Sequence, residues 1–582
     1  MDEHGGSAAD WGDPDPDDTG FTTSAGPWSA VATSHGLESL SFGGQRIATR
    51  VFFTVRDLVW GSPRVTFSYT GSLADESGLG FTCSVDGAPL EVVGRVAAAG
   101  TTLQATFTVT ALAATSVTRA GPCILHERSD LAPHFSVTGL AGTKQVETAD
   151  RILIERIATG YSALDLDLAA LHVAIGFEGA LFEMEDQRNW ADSTFKSYCP
   201  PLADPQPISL AAGESLDYVV SFVATAIGAS SVGTDLVGTG PVASAASAVP
   251  LELRDVSDAH PMPRLGLLHS GGRLPEDAAA RLKTLRPAYL HLLANLASAT
   301  WRDDLLADLA AAADLGADAV ITVDADPSAD DAALAELAAL ARGRASTVLL
   351  FDRGLPTTSD ALAAHPGFAA AGIQTGGGTR ANFASLNAAG RVPDALEVVA
   401  VPLAVASHDD DRRALASSLE SFEAIIHDTR QLAGEREVLV GPVTFRPTFD
   451  SWGPPDAVRD PFVDWRSTSP RNGTAFEAAW IVAAVGELAS HDVHRVTIGS
   501  TAIATSPAFE AFRALSALRD RDVWQVRGSD RVLGIRSADD LVLGVMTDND
   551  AALDFGGRVL RVASPHVFSH ATSDAAAHPT KA

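Results

Sequence analysis

The segment LFEMEDQRNW, residues 181–190, concentrates side chains that can take part in acid–base chemistry. Glu183, Glu185 and Asp186 are carboxylates within four positions, and Arg188 adds a guanidinium group beside them. Carboxylates transfer protons, bind cations or simply keep a turn in water, so residue type alone does not separate a catalytic site from a solvated loop. That distinction depends on the elements that position the segment.

The spacing of the two glutamates predicts their orientation. In a β-strand, Glu183 and Glu185 lie on one face, and the apolar residues next to them lie on the other. Two carboxylates on one face repel, so the pKa of one rises unless a cation lies between them. Arg188 or Lys196 can be that cation. A divalent metal is the alternative, with these ligands: Glu185, Asp186 and Asn189.

The residues that follow combine aromatic, amide and charged side chains. Trp190, Lys196 and Tyr198 accompany Asn189 in NWADSTFKSY, a composition that resembles the wall of a sugar-binding site. A charged sheet edge that blocks aggregation explains the same residues without any ligand. Both interpretations stay open at this point.

The composition limits the class of protein. The chain has 582 residues, 46% of them hydrophobic, which is enough for about two to four domains with buried cores. Its formal charge of −31 disfavours nucleic acid and anionic lipid as partners. The three cysteines are far apart, which argues against a disulfide framework or a thiolate zinc site and favours the cytoplasm. A signal peptide and a run of about 18 apolar residues are both missing, so we expect no membrane partner.

The predicted secondary structure changes twice along the chain. Up to about residue 226 it consists of short strands rich in Val, Phe and Thr, which predicts an antiparallel β-sandwich. After a small-residue stretch, strands alternate with amphipathic helices, and the last part returns to short strands. These changes predict the following division: a disordered tail (1–20), an N-terminal β-sandwich domain (21–230), a linker (231–258), a (β/α)8 barrel (259–522), a short C-terminal β domain (523–572) and a disordered tail (573–582).

The middle part contains eight strand candidates that alternate with helices. Several of them are continuous apolar runs, as expected for strands that are buried on both faces. Eight such units in about 260 residues is the count of a TIM-like (β/α)8 barrel, whereas a doubly wound sheet usually needs fewer. The predicted strands are 264–270, 288–295, 317–324, 346–352, 371–377, 396–403, 437–445 and 494–500.

A barrel of this kind carries its active site at the carboxyl ends of the strands. Polar residues stand at nearly every one of these ends, which indicates a small hydroxylated ligand. The last three strands end without a glutamate, which weakens a glycosidase assignment, although Asp352 and Asp450 can still form an acid–base pair. The polar end residues are His269, Asp324, Asp352, Arg380, Asn382, His408, Arg446 and Asp450.

Four motifs are similar to those of one protein family. FEMEDQRNWADSTFKSYCPPL (182–202) resembles the signature segment of the D-apionate lactonases. PCILH (122–126), GGGTRANFASLN (376–387) and GPVTFRPTFD (441–450) are further matches. The resemblance spans most of residues 30–570. The chain departs from the family pattern at the ends of barrel strands six and eight, as a divergent member would.

The resemblance implies hydrolysis of a small-molecule sugar lactone, D-apionolactone, to D-apionate, with no cofactor. Such a reaction needs an activated water, a stabilised oxyanion and a proton for the leaving alkoxide. We expect Glu185 or Glu183 to be the general base, within the acidic cluster that includes Asp186. Arg188 would stabilise the oxyanion, and His126 is an alternative base because histidine titrates near neutral pH. The substrate-binding residues expected are Asn189, Trp190, Lys196, Tyr198, Arg380, Asn382, Arg446 and Asp450.

This assignment requires the acidic segment of the N-terminal domain to lie over the barrel mouth. Two other functions stay open on the sequence alone, a glycoside hydrolase on the barrel and a catalytically inert carbohydrate-binding protein. The sequence does not predict an oligomeric state.

Overall fold

The computed structural model describes residues 8–12, 20–58, 60–127, 131, 134–147, 150–227, 251–408, 410–449, 469–529, 531–547, 551–555, 558–562 and 564–571. Most of the predicted linker, the predicted C-terminal tail and Asp450 lie outside these residues.

The N-terminal region is an antiparallel β domain preceded by a short helix, α1 (Ala8–Trp11). Its strands are β1 (Phe21–Ala25), β2 (Trp28–Thr33), β3 (Gly36–Phe42), β4 (Gln45–Arg56), β5 (Val65–Thr70), β6 (Leu79–Val85), β7 (Leu90–Ala99), β8 (Thr102–Ala111), β9 (Thr115–Val117), β10 (Arg119–Glu127), β11 (His134–Gly139), β12 (Gly142–Glu147), β13 (Ala158–Asp167), β14 (Leu171–Glu178), β15 (Phe182–Asp186), β16 (Thr194–Tyr198), β17 (Ile208–Leu210) and β18 (Ser215–Ala226). One 16-stranded sheet runs in the order β1-β2-β3-β4-β10-β16-β15-β13-β14-β18-β8-β7-β6-β5, with β11 and β12 beside β13.

This sheet folds over on itself. Phe53 in β4 packs against Phe107 in β8 with 5.9 Å between ring centroids, although the two strands are far apart in the strand order. Apolar residues from both halves of the sheet therefore meet in one core. The predicted antiparallel β domain at the N-terminus is confirmed.

The acidic segment forms β15, in the interior of the sheet between β13 and β16. Phe182 and Met184 point into the core, so Glu183 and Glu185 point to the opposite face, as their spacing predicts. The alternative of an exposed, charged sheet edge is wrong, because β15 is paired on both sides and all of its residues are buried.

The predicted barrel is confirmed: eight parallel strands close on themselves in sequence order. Three short strands precede it, β19 (Leu251–Glu252), β20 (Arg254–Asp255) and β21 (His260–Pro261). The barrel strands are β22 (Arg264–Leu268), β23 (Tyr289–Asn295), β24 (Asp318–Ala325), β25 (Ala345–Asp352), β26 (Gln374–Gly378), β27 (Val398–Ala404), β28 (Glu437–Thr444) and β29 (Arg495–Ser500). The helices are α2 (Glu276–Leu285), α3 (Trp301–Leu315), α4 (Asp331–Ala341), α5 (Asp360–Ala363), α6 (Pro366–Ala371), α7 (Phe383–Ala389), α8 (Arg412–Ser417), α9 (Phe422–Ala433), α10 (Ala475–Ala489) and α11 (Ala508–Ser516).

Side chains fill the interior of the barrel. Tyr289 and Phe351 belong to a buried cluster inside it, next to a layer of polar residues. His291 lies within 2.8 Å of the Thr322 hydroxyl and 3.1 Å of the Thr497 hydroxyl. Burial lowers the pKa of His291 to about 3, so this histidine is a neutral part of the core.

The C-terminal strands form two sheets. They are β30 (Asp522–Ser529), β31 (Val532–Arg536), β32 (Asp540–Val545), β33 (Ala551–Phe555), β34 (Arg558–Val562) and β35 (His566–Ala571). Strands β33 and β34 pair with β19, and the others form a larger sheet on which helix α10 packs. The strands β19 to β21, which precede the barrel, pair with β33 and β30. Helix α10 packs so closely on the larger sheet that a Cβ atom on Gly544 would lie 2.0 Å from the carbonyl oxygen of Ala479.

Part of the predicted N-terminal tail is anchored to the barrel. Trp11 in α1 is buried, and its ring lies 5.7 Å from the ring of Phe476 in α10. Its carbonyl oxygen accepts a 2.8 Å hydrogen bond from Arg471 Nη1. The expectation of disorder over residues 1–20 is therefore wrong at this helix, because one large apolar side chain finds a place in the barrel surface.

Candidate active site

The acidic segment contributes to a polar face that extends over neighbouring strands. Strands β4, β10, β16 and β15 are adjacent in the sheet. Cys123 in β10 lies opposite Tyr198 in β16, and Tyr198 lies opposite Glu183 in β15. In the next row, Lys196 lies opposite Glu185. Residues directly opposite each other share a face of the sheet, so these side chains form one continuous surface.

Glu185 is held as a carboxylate on this face. The Nζ atom of Lys196 contacts its Oε1 atom, and Nη2 of Arg156 lies 3.6 Å from Oε2. Burial opposes ionisation, but the charges of Lys196, Arg156 and His408 outweigh it and lower the pKa of Glu185 to about 2. The cation that the sequence requires between the glutamates is therefore Lys196 together with Arg156, and not Arg188.

Glu183 is fixed by several donors. Its Oε1 atom accepts hydrogen bonds from the Tyr198 hydroxyl and, at 2.9 Å, from the backbone N–H of Leu202. Arg156 Nε and Arg119 Nη2 lie 3.5 Å and 3.9 Å from the same oxygen. A carboxylate with these partners orients its neighbours and has little capacity left to activate a water.

Asp186 and Arg188 bind each other. Two parallel hydrogen bonds join them, from Arg188 Nε to Oδ1 at 2.9 Å and from Nη2 to Oδ2 at 2.7 Å. Asp186 also caps the 3-10 turn Gln187–Trp190, and Arg188 Nη1 donates to the carbonyl of Asp150 at 3.1 Å. The predicted role of Arg188 as an oxyanion stabiliser thus has no geometric support. Nor do Glu185, Asp186 and Asn189 converge as metal ligands, because successive strand residues point to opposite faces.

Asn189 joins the two domains. Its Oδ1 atom accepts a 3.0 Å hydrogen bond from Asn387 Nδ2 in α7, and its own Nδ2 donates to the carbonyl of Leu153 at 2.7 Å. Close by, the backbone N–H of Ile152 donates to Asp428 Oδ2 in α9 at 2.7 Å. The predicted substrate-binding role of Asn189 is replaced by a part in this interface.

A histidine from the barrel meets an aspartate from the β domain. His408 follows β27, and its Nδ1 atom lies 2.6 Å from Asp192 Oδ2. Gln187 Nε2 lies 3.4 Å from the same nitrogen, and the ring of Trp190 meets the imidazole edge to face at 5.5 Å. The sequence indicates His408 only by its position after a barrel strand. Its partner stands 216 residues away, and no local pattern connects the two.

These residues border a cleft of about 890 Å³ between the domains. Arg56 and Lys196 line it from the sheet, and His408 and Arg446 line it from the barrel loops. Arg446 is exposed, with Asp410 Oδ2 3.9 Å away. The cleft is of the size that accepts small molecules. The predicted contact between the acidic segment and the strand ends of the barrel is present in this cleft.

Among the described residues, side chains fill the space around Arg380 at the barrel mouth. Arg380 Nη2 lies 2.5 Å from Asp324 Oδ1, and the guanidinium group stacks 4.1 Å from the ring centre of Phe449. Arg380 also donates to the carbonyls of Leu355 and Asp352 at 2.8 Å and 3.0 Å. About 20 Å³ of space is left there, which holds about one water. Arg380 is therefore a structural cation and not the sugar ligand that the sequence suggests.

Two other barrel residues have contacts that differ from the predicted roles. Asn382 precedes α7 and does not line the cleft. Asp352 Oδ2 accepts the N–H of Ser359 at 2.5 Å, which stabilises the start of α5. Asp450 lies outside the described residues, so its predicted binding role and its pairing with Asp352 stay predictions.

His126 points away from the cleft. Its neighbours Leu125 and Glu127 line the cleft, so His126 lies on the opposite face of β10. It is fully buried, with its Nε2 atom 3.4 Å from the hydroxyl of Ser197. The expectation that it serves as an alternative base is wrong, because a cleft-bound water cannot reach it.

Cys123 is the cysteine that lines the cleft. Burial raises the pKa of its thiol to about 11, so it is protonated at neutral pH and a poor nucleophile. Within the described ranges, no three His, Cys, Asp or Glu side chains are arranged to hold a metal ion. None of the described helices is long and apolar enough to cross a membrane.

The fold and the cleft define a class of protein in which a folded-over β domain lies against the strand ends of a (β/α)8 barrel. Residues 8–226 match the N-terminal domain of D-apionate lactonase, and residues 265–508 match the TIM barrel domain of D-apionate lactonase. The chain belongs to the D-apionate lactonase family.

Individual relatives are more distant. The D-apionate lactonase of Brucella anthropi is 30% identical over 198 residues, a match that spans 31% of this chain and 31% of that protein. A putative aldose 1-epimerase from Escherichia coli is 11% identical, covering 36% of this chain and 99% of that one, with a TM-score of 0.26. A family 51 alpha-L-arabinofuranosidase from Bifidobacterium longum is 14% identical, covering 52% and 83%, with a TM-score of 0.34. Membership of the D-apionate lactonase family, and not similarity to these structures, supports a lactonase-like function.

Proposed function

We propose that this protein hydrolyses a five-membered sugar lactone, with D-apionolactone as substrate and D-apionate as product. The observation that carries the proposal is the Asp192–His408 pair, in which each domain supplies one member at the border of a cleft of suitable size. Membership of the D-apionate lactonase family supports the choice of substrate.

His408 is the proposed general base. Because Nδ1 faces the Asp192 carboxylate at 2.6 Å, it carries the proton of the neutral imidazole, and Nε2 is left as the acceptor. Nε2 takes a proton from water as the water oxygen forms a bond to the lactone carbonyl carbon. The carboxylate of Asp192 fixes the tautomer and stabilises the imidazolium ion.

Lys196 is the proposed stabiliser of the oxyanion. Gln187 contacts His408 and accepts a 2.8 Å hydrogen bond from Thr194, which lies two residues from Lys196 on the same strand face, about 7 Å away. An ammonium group has three donors, and Glu185 occupies one of them. The others can reach the oxygen on which negative charge develops.

Collapse of the tetrahedral intermediate breaks the ring C–O bond. The imidazolium of His408 returns its proton to the leaving alkoxide, so the base of the first step is the acid of the second. With a pKa of about 2, Glu185 is a weak base at neutral pH, and its proposed role is to hold Lys196 in place. Arg446, which lines the cleft, is the proposed contact for the sugar hydroxyls, and the proposed role of Trp190 is to hold the His408 ring.

A pH-stat assay on 1,4-lactones of five-carbon sugar acids, D-apionolactone among them, tests the function. The wild type is expected to consume base during turnover, and His408→Gln is expected to lower kcat by about 10²- to 10⁴-fold. His172→Gln is the matched control, since it removes an exposed His–Asp pair with a similar 2.7 Å contact to Asp167. It should keep the wild-type kcat.

The pH profile separates the two candidate bases. A base with the pKa of Glu185, about 2, gives kcat/KM a flat profile between about pH 5 and 8, so an acid limb in that range excludes Glu185 as the base. Glu185→Gln should reduce activity by disordering Lys196 while leaving the limb in place. Wild-type turnover in His408→Gln would refute the assignment of the base, and a wild type that opens none of the lactones would refute the function.

A further inference from the structure

Cations outnumber carboxylates on the polar face of the sheet. Arg56 in β4 lies directly opposite Arg119 in β10, and like charges in such a pair repel. Burial, with the charge of Arg119 as a further cause, lowers the pKa of Arg56. We call this group the arginine cluster, and it comprises Arg56, Arg119, Arg156, Lys196, Glu183 and Glu185.

Several donors of the cluster are buried without an acceptor among the described residues. Arg119 is 5% exposed, and its Nε and Nη2 atoms have no hydrogen-bond partner there. The Glu183 carboxylate is 3.9 Å from Nη2, and Tyr198 and Leu202 already donate to that oxygen. Nε of Arg156 is likewise buried without a hydrogen-bond partner, 3.5 Å from Glu183 Oε1. An unmet donor on a buried guanidinium group is costly, so this arrangement fits an additional anion.

The cleft gives a ligand access to the cluster. Arg56 and Lys196 both line it, and Thr54 and Cys123 lie on the same wall. Arg119 stacks 4.1 Å from the ring centre of Tyr198, so an aromatic surface backs the cation. A negative group that enters from the cleft therefore meets Arg56 and Lys196 first, and Arg119 lies directly opposite Arg56 in the sheet.

We propose that the arginine cluster is a subsite for the carboxylate of a sugar acid. Guanidinium groups bind carboxylates through two parallel N–H···O bonds, and four cations against two carboxylates leave the cluster short of negative charge. Lys196 belongs both to this subsite and to the proposed oxyanion contact, so a carboxylate formed at the reacting carbon lies beside the cluster. The identity of the ligand rests on the proposed function, whereas anion binding does not.

The subsite has a consequence for lactone opening. The lactone is neutral at the reacting group, and hydrolysis creates a carboxylate in the same cleft. The cluster therefore binds the product more tightly than the substrate, unless the substrate carries a carboxylate of its own. The ligand chemistry is the same in both cases, a carboxylate on a polyhydroxylated chain.

Calorimetric titration of the full-length protein with D-xylonate, with xylitol as the uncharged counterpart, tests the proposal. Xylonate is expected to bind at least about 10-fold more tightly, because charged hydrogen bonds are lost with xylitol. Added salt should weaken xylonate binding. Equal affinity for the two compounds, or equal affinity for xylonate and inorganic phosphate, would overturn the proposal.

Two substitutions separate binding from folding. Arg56→Gln removes a cation whose pKa is lowered by burial and by the charge of Arg119, so we expect a higher Tm together with about 10-fold weaker xylonate binding. A residue with a purely structural role would not combine these effects. Arg119→Gln should weaken binding as well, and Arg95→Gln, an exposed arginine of the same domain, is the control. Xylonate affinity that stays at the wild-type level in both cluster variants would refute the subsite.

D-glucuronate distinguishes the two sources of the carboxylate. Its carboxylate is attached to a closed ring, so tighter binding of glucuronate assigns the subsite to an acidic substrate, and tighter binding of xylonate assigns it to the product. Both outcomes support a sugar-acid subsite. Xylonate binding by a protein that hydrolyses no lactone would refute the proposed function and leave the subsite intact.

Discussion

The buried Glu185–Lys196 pair permits a quantitative prediction. Lys196→Met replaces the ammonium group by an apolar group of similar size. Glu185, 7% exposed, then keeps Arg156 at 3.6 Å as its main cation. We expect the free energy of unfolding at pH 7 to fall by about 3 kcal/mol, as is usual when one partner of a buried ion pair is removed.

The magnitude follows from the titration of Glu185. Its pKa falls from 4.5 to about 2 in the folded protein, which corresponds to about 3 kcal/mol in favour of the carboxylate. A depressed folded pKa contributes stability above the unfolded pKa, and that stability is lost as the pH falls through the folded pKa. The cost of Lys196→Met should therefore be full above pH 4.5 and shrink towards pH 2.

The assay is urea unfolding followed by circular dichroism, on the wild type, Lys196→Met, Glu185→Gln and the double variant. The double-mutant cycle should give a coupling energy of about 2–3 kcal/mol, since the double variant buries no unpaired charge. The exposed Arg302–Glu336 pair supplies a control cycle, for which we expect a much smaller coupling. A Glu185–Lys196 coupling no larger than that of the control would refute the reasoning.

Three further predictions concern the stability of the barrel and of its contacts with the neighbouring sheets. Arg380→Met should lower the free energy of unfolding by about 3 kcal/mol because Asp324 is left buried without its cation. KM for the lactone should stay unchanged, and a raised KM would mean that Arg380 binds the substrate. Gly544→Ala should cost at least about 2 kcal/mol in thermal unfolding, because its Cβ atom meets Ala479 in α10, and an unchanged Tm would contradict that packing. Asn387→Ala should lower the free energy of unfolding by about 1–3 kcal/mol, and calorimetry should show the β domain unfolding at a lower temperature than the barrel. A single transition at the wild-type temperature would mean that the contact with Asn189 does not stabilise the interface.

The parts of the fold that depend on local patterns could be predicted from the sequence. Runs such as 317–324 and 396–403 are apolar on both faces, and that pattern is sufficient to recognise buried parallel strands. The orientation of Glu183 and Glu185 also follows from the strand period alone, because it depends on no distant residue.

The partners of these side chains could not be predicted, because they are set by tertiary contacts. Arg156, which lies outside the acidic segment, reaches Glu185, and Arg380 is covered by Phe449 from another barrel loop. The strand period places His126 and Leu125 on opposite faces of β10, but it does not tell which face meets the cleft. The choice of face depends on how the whole sheet folds over, and no short motif encodes it.

The division of the Asp192–His408 pair between two domains makes the proposed activity conditional on assembly. During synthesis, the aspartate leaves the ribosome 216 residues before the histidine, so the β domain can fold completely and still be inert. The pair exists only after the barrel has closed and docked. Catalytic competence thereby reports that the entire chain has folded, and any change that loosens the domain interface reduces the active fraction without touching a reacting group.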